Sequence, residues 1–162
     1  MSPTSHLSAF DKTTEPVLPG DAFDEAVKSF ALLASFCNEA DFQGIYPISR
    51  HGNSYAAAYE YLTAGFDDSM VAAILGTYTF AGPDGTLMII PCEGIPLLTA
   101  SDRAQATIIP GPDLTVIQMP LQNCYQPGDR YCYRITSRLI DQRWKITALS
   151  LTEAPIQWSE DI

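Results

Sequence analysis

The sequence predicts an α+β domain in which N-terminal helices pack on one face of a curved, cone-like antiparallel sheet. Two observations carry this reading. Apolar residues recur at the helical period as far as Tyr78 and alternate after Gly85, and seven of the twelve prolines lie between Pro83 and Pro127, which keeps the later segments short. With 162 residues, 46% of them hydrophobic and 17% charged, the chain falls among ordinary globular domains. A chain of this length buries roughly 68–70% of its unfolded surface, so its core needs neither metal nor disulfide support. The expected organisation is a flexible lead over 1–20 and a single domain over 21–162, with no internal repeat.

The lead carries three prolines and several Ser and Thr residues with no periodic apolar pattern. No charged stretch followed by an apolar run marks a signal peptide. Such a lead is equally what remains behind a signal or lipid anchor and what an ordinary disordered terminus looks like. The first helix is expected from Asp21, an N-cap, with Asp24 and Glu25 in the first turn and a buried stripe through Phe23, Val27, Phe30, Ala31, Ala34 and Cys37. A second should start at Asn53 or Ser54, present Tyr55, Ala58, Tyr59 and Leu62, and stop at Gly65 acting as a C-terminal cap. A third is capped by Asp67 or Asp68 and buries Val71, Ile74, Leu75 and Tyr78; Asp84-Gly85 then marks a tight turn. Strands are expected over Thr86–Ile90, Ile95–Thr99, Arg103–Ile109, Leu114–Met119, Leu121–Tyr125, Arg130–Leu139 and Trp144–Thr152.

Nineteen Asp+Glu against nine Lys+Arg leave a net charge of −10, a field that repels phosphate backbones and anionic surfaces, so nucleic acid is excluded as a general partner. The longest apolar run, from Phe30 to Cys37 if Ser35 is allowed, is far short of the roughly 18–20 residues a membrane-spanning helix needs. Against this acidic background the last two strands stand apart. One face of Arg130–Leu139 is Tyr131, Tyr133, Ile135, Ser137 and Leu139; the other is Arg130, Cys132, Arg134, Thr136 and Arg138. If Asp141-Gln142 are the two turn residues, Leu139 faces Trp144 and Arg138 faces Lys145, so the basic faces of both strands coincide. Five positive residues, Arg130, Arg134, Arg138, Arg143 and Lys145, then share a stretch whose one acid is Asp141. Such a face either docks carboxylates or other acidic groups through arginine forks, or is neutralised by neighbouring acids as surface ion pairs.

The four cysteines permit two disulfides without requiring them. A three-residue loop centred on Gly128 would set Cys124 opposite Cys132 and allow a bridge; a two-residue loop over Pro127-Gly128 would set Cys124 against Tyr131. Otherwise all four are small buried thiols. His6 and His51 are the two histidines, no Cys-x-x-Cys or His-x-x-x-His occurs, and no metal site or cofactor is implied. Phosphate loops and nucleophile elbows are also absent, and Asp67-Asp68 is explained by helix capping. Tyr46, Tyr55, Tyr59, Tyr61 and Tyr78 are either ordinary core with hydroxyls at the rim or the lining of a pocket between helices and sheet.

The segment Arg143-Trp144-Lys145-Ile146-Thr147-Ala148-Leu149 resembles the last hairpin of the cone-shaped superfamily related to nuclear transport factor two and the SnoaL-like cyclases. Tyr61–Val71, with Asp84-Gly85-Thr86-Leu87 after it, resembles the helix-to-strand region of IseA-type inhibitors of cell-wall DL-endopeptidases. These resemblances imply a curved sheet packed on helices, in families that include enzymes, small-ligand binders and non-catalytic partner domains. They transfer no active-site residues; the Asp-His pair of the catalytic cone-fold families has no evident counterpart. The leading expectation is a non-catalytic extracytoplasmic binding or inhibitory domain that docks a protein or cell-envelope ligand bearing acidic groups through Arg130, Arg134, Arg138, Arg143 and Lys145. The rival is an enzyme or small-molecule binder with Tyr59, Tyr78, Tyr133 and Trp144 around a cavity and His51 or an acid as its polar group. A third reading is a module for self-association, and the sequence leaves the oligomeric state open.

Overall fold

The structure, a computed structural model, describes residues 20–91, 97–122 and 126–153. Helix α1 spans Ala22–Asn38, and the Asp21 carboxylate accepts from the N–H groups of Phe23 and Asp24, satisfying donors that the first turn leaves free. Its buried stripe includes Phe23, Ala26, Phe30, Leu33, Phe36 and Cys37. This is a correction to the expected stripe: Ala31 is exposed, and the larger Leu33 and Phe36 take the core because they bury more apolar area.

A hairpin that the sequence does not announce follows, β1 (Ala40–Gln43) and β2 (Tyr46–Ser49), turning through Gly44 at φ +76°. Past Ala40 the first of these strands is exposed residue after residue, so it carries no alternation to read. Helix α2 (Tyr55–Leu62) is capped by Ser54, and α3 (Asp68–Tyr78) by Asp67, whose carboxylate accepts from the Met70 N–H at 2.9 Å. Ala58 and Leu62 are buried as expected, whereas Tyr55 lies exposed. Strands β3 (Thr79–Ala81) and β4 (Leu87–Ile89) close through the Asp84-Gly85 turn.

Two expected strands are corrected. Of Ile95–Thr99, residues 95–96 lie outside the described residues and 97–99 are not a strand. Of Arg103–Ile109 the first part belongs to a 3₁₀ turn, Ala100–Ala104, because Asp102 bonds back to the Thr99 N–H at 2.8 Å; β5 is Thr107–Ile109 alone. Strand β6 (Leu114–Gln122) runs unbroken through Pro120, where two strands were expected. Strand β5 covers β6 only as far as Gln118, so a residue without an N–H fits on the open edge beyond it. Residues 123–125 of the expected Leu121–Tyr125 strand lie outside the described residues.

Strands β7 (Arg130–Ile140) and β8 (Arg143–Glu153) complete an antiparallel four-stranded sheet in the order β5-β6-β7-β8. Asp141 and Gln142 both have positive φ, 52° and 69°, as a two-residue hairpin turn demands. Leu139 pairs with Trp144 and Arg138 with Lys145, the expected register. A bulge between Thr136 and Ser137 places Ile146 opposite Ser137 and Ala148 opposite Thr136; Thr147 is the extra residue. The bulge keeps the inner face apolar along β8, switching from Trp144 and Ile146 to Leu149.

The helices pack on that inner face, where Phe23, Phe30, Phe66, Ile117, Ile135 and Ile146 are fully or almost fully buried together, with Phe30 edge-on to Phe66 at 6.3 Å. Helix layer and sheet are also joined by backbone: the Ile146 N–H donates to Gly65 O and the Asp67 N–H to Ile146 O. Gly65 is therefore no left-handed cap. A Cβ there would stand 2.6 Å from Ser29 Oγ on α1, so glycine is needed for close approach.

Candidate functional site

Because β7 and β8 alternate, the register places Arg130, Arg134 and Arg138 on the outer face of the sheet, the face turned away from the helices. Lys145 opposes Arg138, and Arg143 opposes Ile140 on the same side. All five predicted cations are thus gathered on one face, with Arg134, Arg138 and Arg143 exposed. Their outward neighbours on β6 are neutral: Leu114 beside Arg138, Gln118 beside Arg134, Gln122 beside Arg130. Among the described residues none of the five is in an ion pair. The cations that are paired lie elsewhere: Lys28 with Glu25, Arg50 with Asp41, Arg103 with Asp21 and Asp24. Arg138 and Lys145, directly opposite across the strands, repel each other, an arrangement that lowers stability.

The predicted disulfide is corrected. Cys132 is a free thiol that faces Pro120 across the ladder, and it lies on the basic face between Arg130 and Arg134. Strands β6 and β7 pair only as far as Gln122 and Arg130, so the register that would set Cys124 opposite Cys132 is not used. Cys124 and Cys92 lie outside the described residues.

Of the aromatic residues expected around a cavity, the structure brings only some near one another. Tyr133 and Trp144 point into the core, Tyr133 against Phe30 at 6.2 Å. Burial pushes the Tyr133 hydroxyl far above its ordinary range, and its oxygen finds no hydrogen-bond partner among the described residues. Tyr59 sits on the helical surface and donates to Asp68 at 2.8 Å, while Tyr78 borders a small apolar hollow with Leu33 and Leu149. Large buried phenylalanines fill much of the space between helices and sheet, and of these four residues Tyr78 and Tyr133 lie close enough to interact electrostatically.

His51 lies apart, at the edge of an open cleft of about 840 Å³ between the β1–β2 hairpin, the start of α2 and the β3–β4 turn. Its Nε2 is 2.6 Å from the Glu39 carboxylate, and its ring stacks on Tyr61 at 4.3 Å and 14°. Glu39 is the partner that sequence reasoning missed. It lies twelve residues away and meets His51 because the Arg50 N–H donates to Glu39 O, extending the hairpin ladder by one step. The cleft wall is held by a bidentate pair, Arg50 to Asp41, and that guanidinium holds the Asp41 carboxyl below its ordinary value. On the opposite wall the Thr86 N–H and hydroxyl lower the Asp84 carboxyl. Among the described residues no three His, Cys, Asp or Glu side chains converge on a cation site, and no helix is long and apolar enough to cross a membrane.

No family model matches the chain, and no curated protein matches it.

Proposed function

We propose that the protein is a non-catalytic binding or inhibitory domain that docks a protein or cell-envelope ligand bearing acidic groups on the outer face of its four-stranded sheet. The carrying observation is the segregation of charge. On a chain of net charge −10, five of the nine Lys+Arg residues share one face with no acid among their described cross-strand neighbours. Arginine forks left without carboxylates bind them bidentately. An extracytoplasmic setting goes with this reading and is supported by the IseA-type resemblance alone.

The test is retention on immobilised poly-L-glutamate at low ionic strength. Arg134→Glu with Arg138→Glu should abolish retention while the unfolding midpoint stays close to that of the native protein. Lys28→Glu with Arg50→Glu carries the same net charge and should be retained. Equal retention of the two double variants would sink the proposal.

A second reading, small-molecule binding, is favoured by the cleft beside His51, where a clamped imidazole and two ionised walls meet. It predicts that the His51 ring resonances move saturably when a polar small molecule is titrated in; a panel that leaves them still dismisses it.

A further inference from the structure

Resting on the docking reading above, the spacing of the arginines names the ligand more closely. We propose that the outer face takes an extended acidic polypeptide segment about nine residues long, lying along β7. Arg130, Arg134 and Arg138 recur every fourth residue on one face of a single strand. At a rise of about 3.4 Å per residue they stand about 14 Å apart and together cover about 27 Å, the length of nine extended residues. Strand β7 lies between β6 and β8, so the row runs along the interior of the sheet, flanked on both sides, and not along an edge. Lys145 opposes Arg138 and Arg143 lies diagonally from it, which puts three cations within about 5–8 Å at the turn end. The ligand is therefore linear, with carboxylates matched to every fourth residue and its highest negative charge at one end.

The neutral residues between the cations decide which linear polyanion fits. Nucleobases are held by stacking on aromatic rings, and sugar rings likewise lie on aromatic faces; this face offers none among its described residues. Instead Gln118 and Ser150 flank Arg134 from the two neighbouring strands, and Gln122 flanks Arg130. Amide and hydroxyl side chains both donate and accept, as peptide groups do. Phosphate chains offer acceptors alone and leave those donors and acceptors half used.

The experiment is fluorescence anisotropy with labelled peptides of equal net charge: a nine-residue peptide with Glu at positions 1, 5 and 9, and its isomer with Glu at 4, 5 and 6. The spaced peptide should bind at least tenfold more tightly. Arg130→Glu should weaken the spaced peptide at least tenfold and change the clustered isomer less than threefold. Equal affinity for the isomers, or tighter binding of a linear polyphosphate of the same length, overturns the peptide assignment and leaves the docking face standing. Binding of every peptide that survives Arg134→Glu with Arg138→Glu, in protein whose thermal unfolding is unchanged, takes down the docking reading itself.

Discussion

Lys28, Arg50 and Arg103, in the helical and hairpin half, each meet a carboxylate; Arg130, Arg134, Arg138, Arg143 and Lys145, on the outer sheet face, meet none among the described residues. Two of the three paired cations tie elements together. Arg103 joins the 3₁₀ turn to the N-terminus of α1, its guanidinium 4.6 Å above the Phe23 ring, and Arg50 joins the residue after β2 to β1. The sheet cations form no ion pair among the described residues and set Arg138 against Lys145. The difference teaches that one half of the molecule uses its positive charge to join elements of the fold, whereas the five cations of the other half meet no carboxylate among the described residues.

The sharpest way to separate the two halves is to damage the fold itself. Phe66 is completely buried where the α2–α3 junction meets β8, and Phe66→Ala should lower stability by about 3–5 kcal/mol in denaturant melts. A loss under 1 kcal/mol would mean that helices and sheet are less tightly joined than described. Gly65→Ala, next in size, drives a Cβ to 2.6 Å from Ser29 Oγ and should cost about 1–3 kcal/mol, since Ser29 is itself buried.

Smaller still is Arg103→Ala, whose effect should depend on pH. Burial pushes the Asp21 carboxyl up, but the Arg103 guanidinium and the N–H groups of Phe23 and Asp24 outweigh it and leave the carboxyl below its ordinary 3.8. The native state thus keeps Asp21 ionised at a lower pH than the unfolded chain does. Its contribution is complete above 3.8 and disappears as the pH falls through the lower native value. The gap in unfolding midpoint between native protein and variant should therefore close on acidification below that value; a gap constant with pH would place the contribution in the contact with Phe23 instead.

The smallest effect should have the opposite sign. Lys145→Ala relieves the repulsion with Arg138 and should raise stability by roughly 0.2–1 kcal/mol. Destabilisation would show that Lys145 is doing structural work and would weaken the contrast between the two halves.

The fold was legible where short-range hydrogen bonds write it. Asp21, Ser54 and Asp67 each cap a helix within three residues of themselves, and the Asp141-Gln142 turn sets the β7–β8 register, and with it the face on which the five cations lie. A strand over Leu114–Met119 was legible too, but not its passage through Pro120, because that depends on where β5 stops. Less of the site was legible away from the basic face. Nothing near His51 in sequence points to Glu39, and the tyrosines and Trp144 carry no sign of how completely phenylalanines fill the interior.

What the sequence determined by itself was the class of the fold, the helix starts and the grouping of the arginines, all of which follow from chemistry within a few residues of chain or from strand periodicity. Tertiary structure alone decided that Gly65 is a point of close approach and not a cap, that Cys132 faces Pro120, that the bulge at Thr147 keeps the inner face of β8 apolar, and that His51 belongs to a surface cleft. Each of these depends on which distant segments meet, and that is settled by packing of the whole core rather than by any local preference.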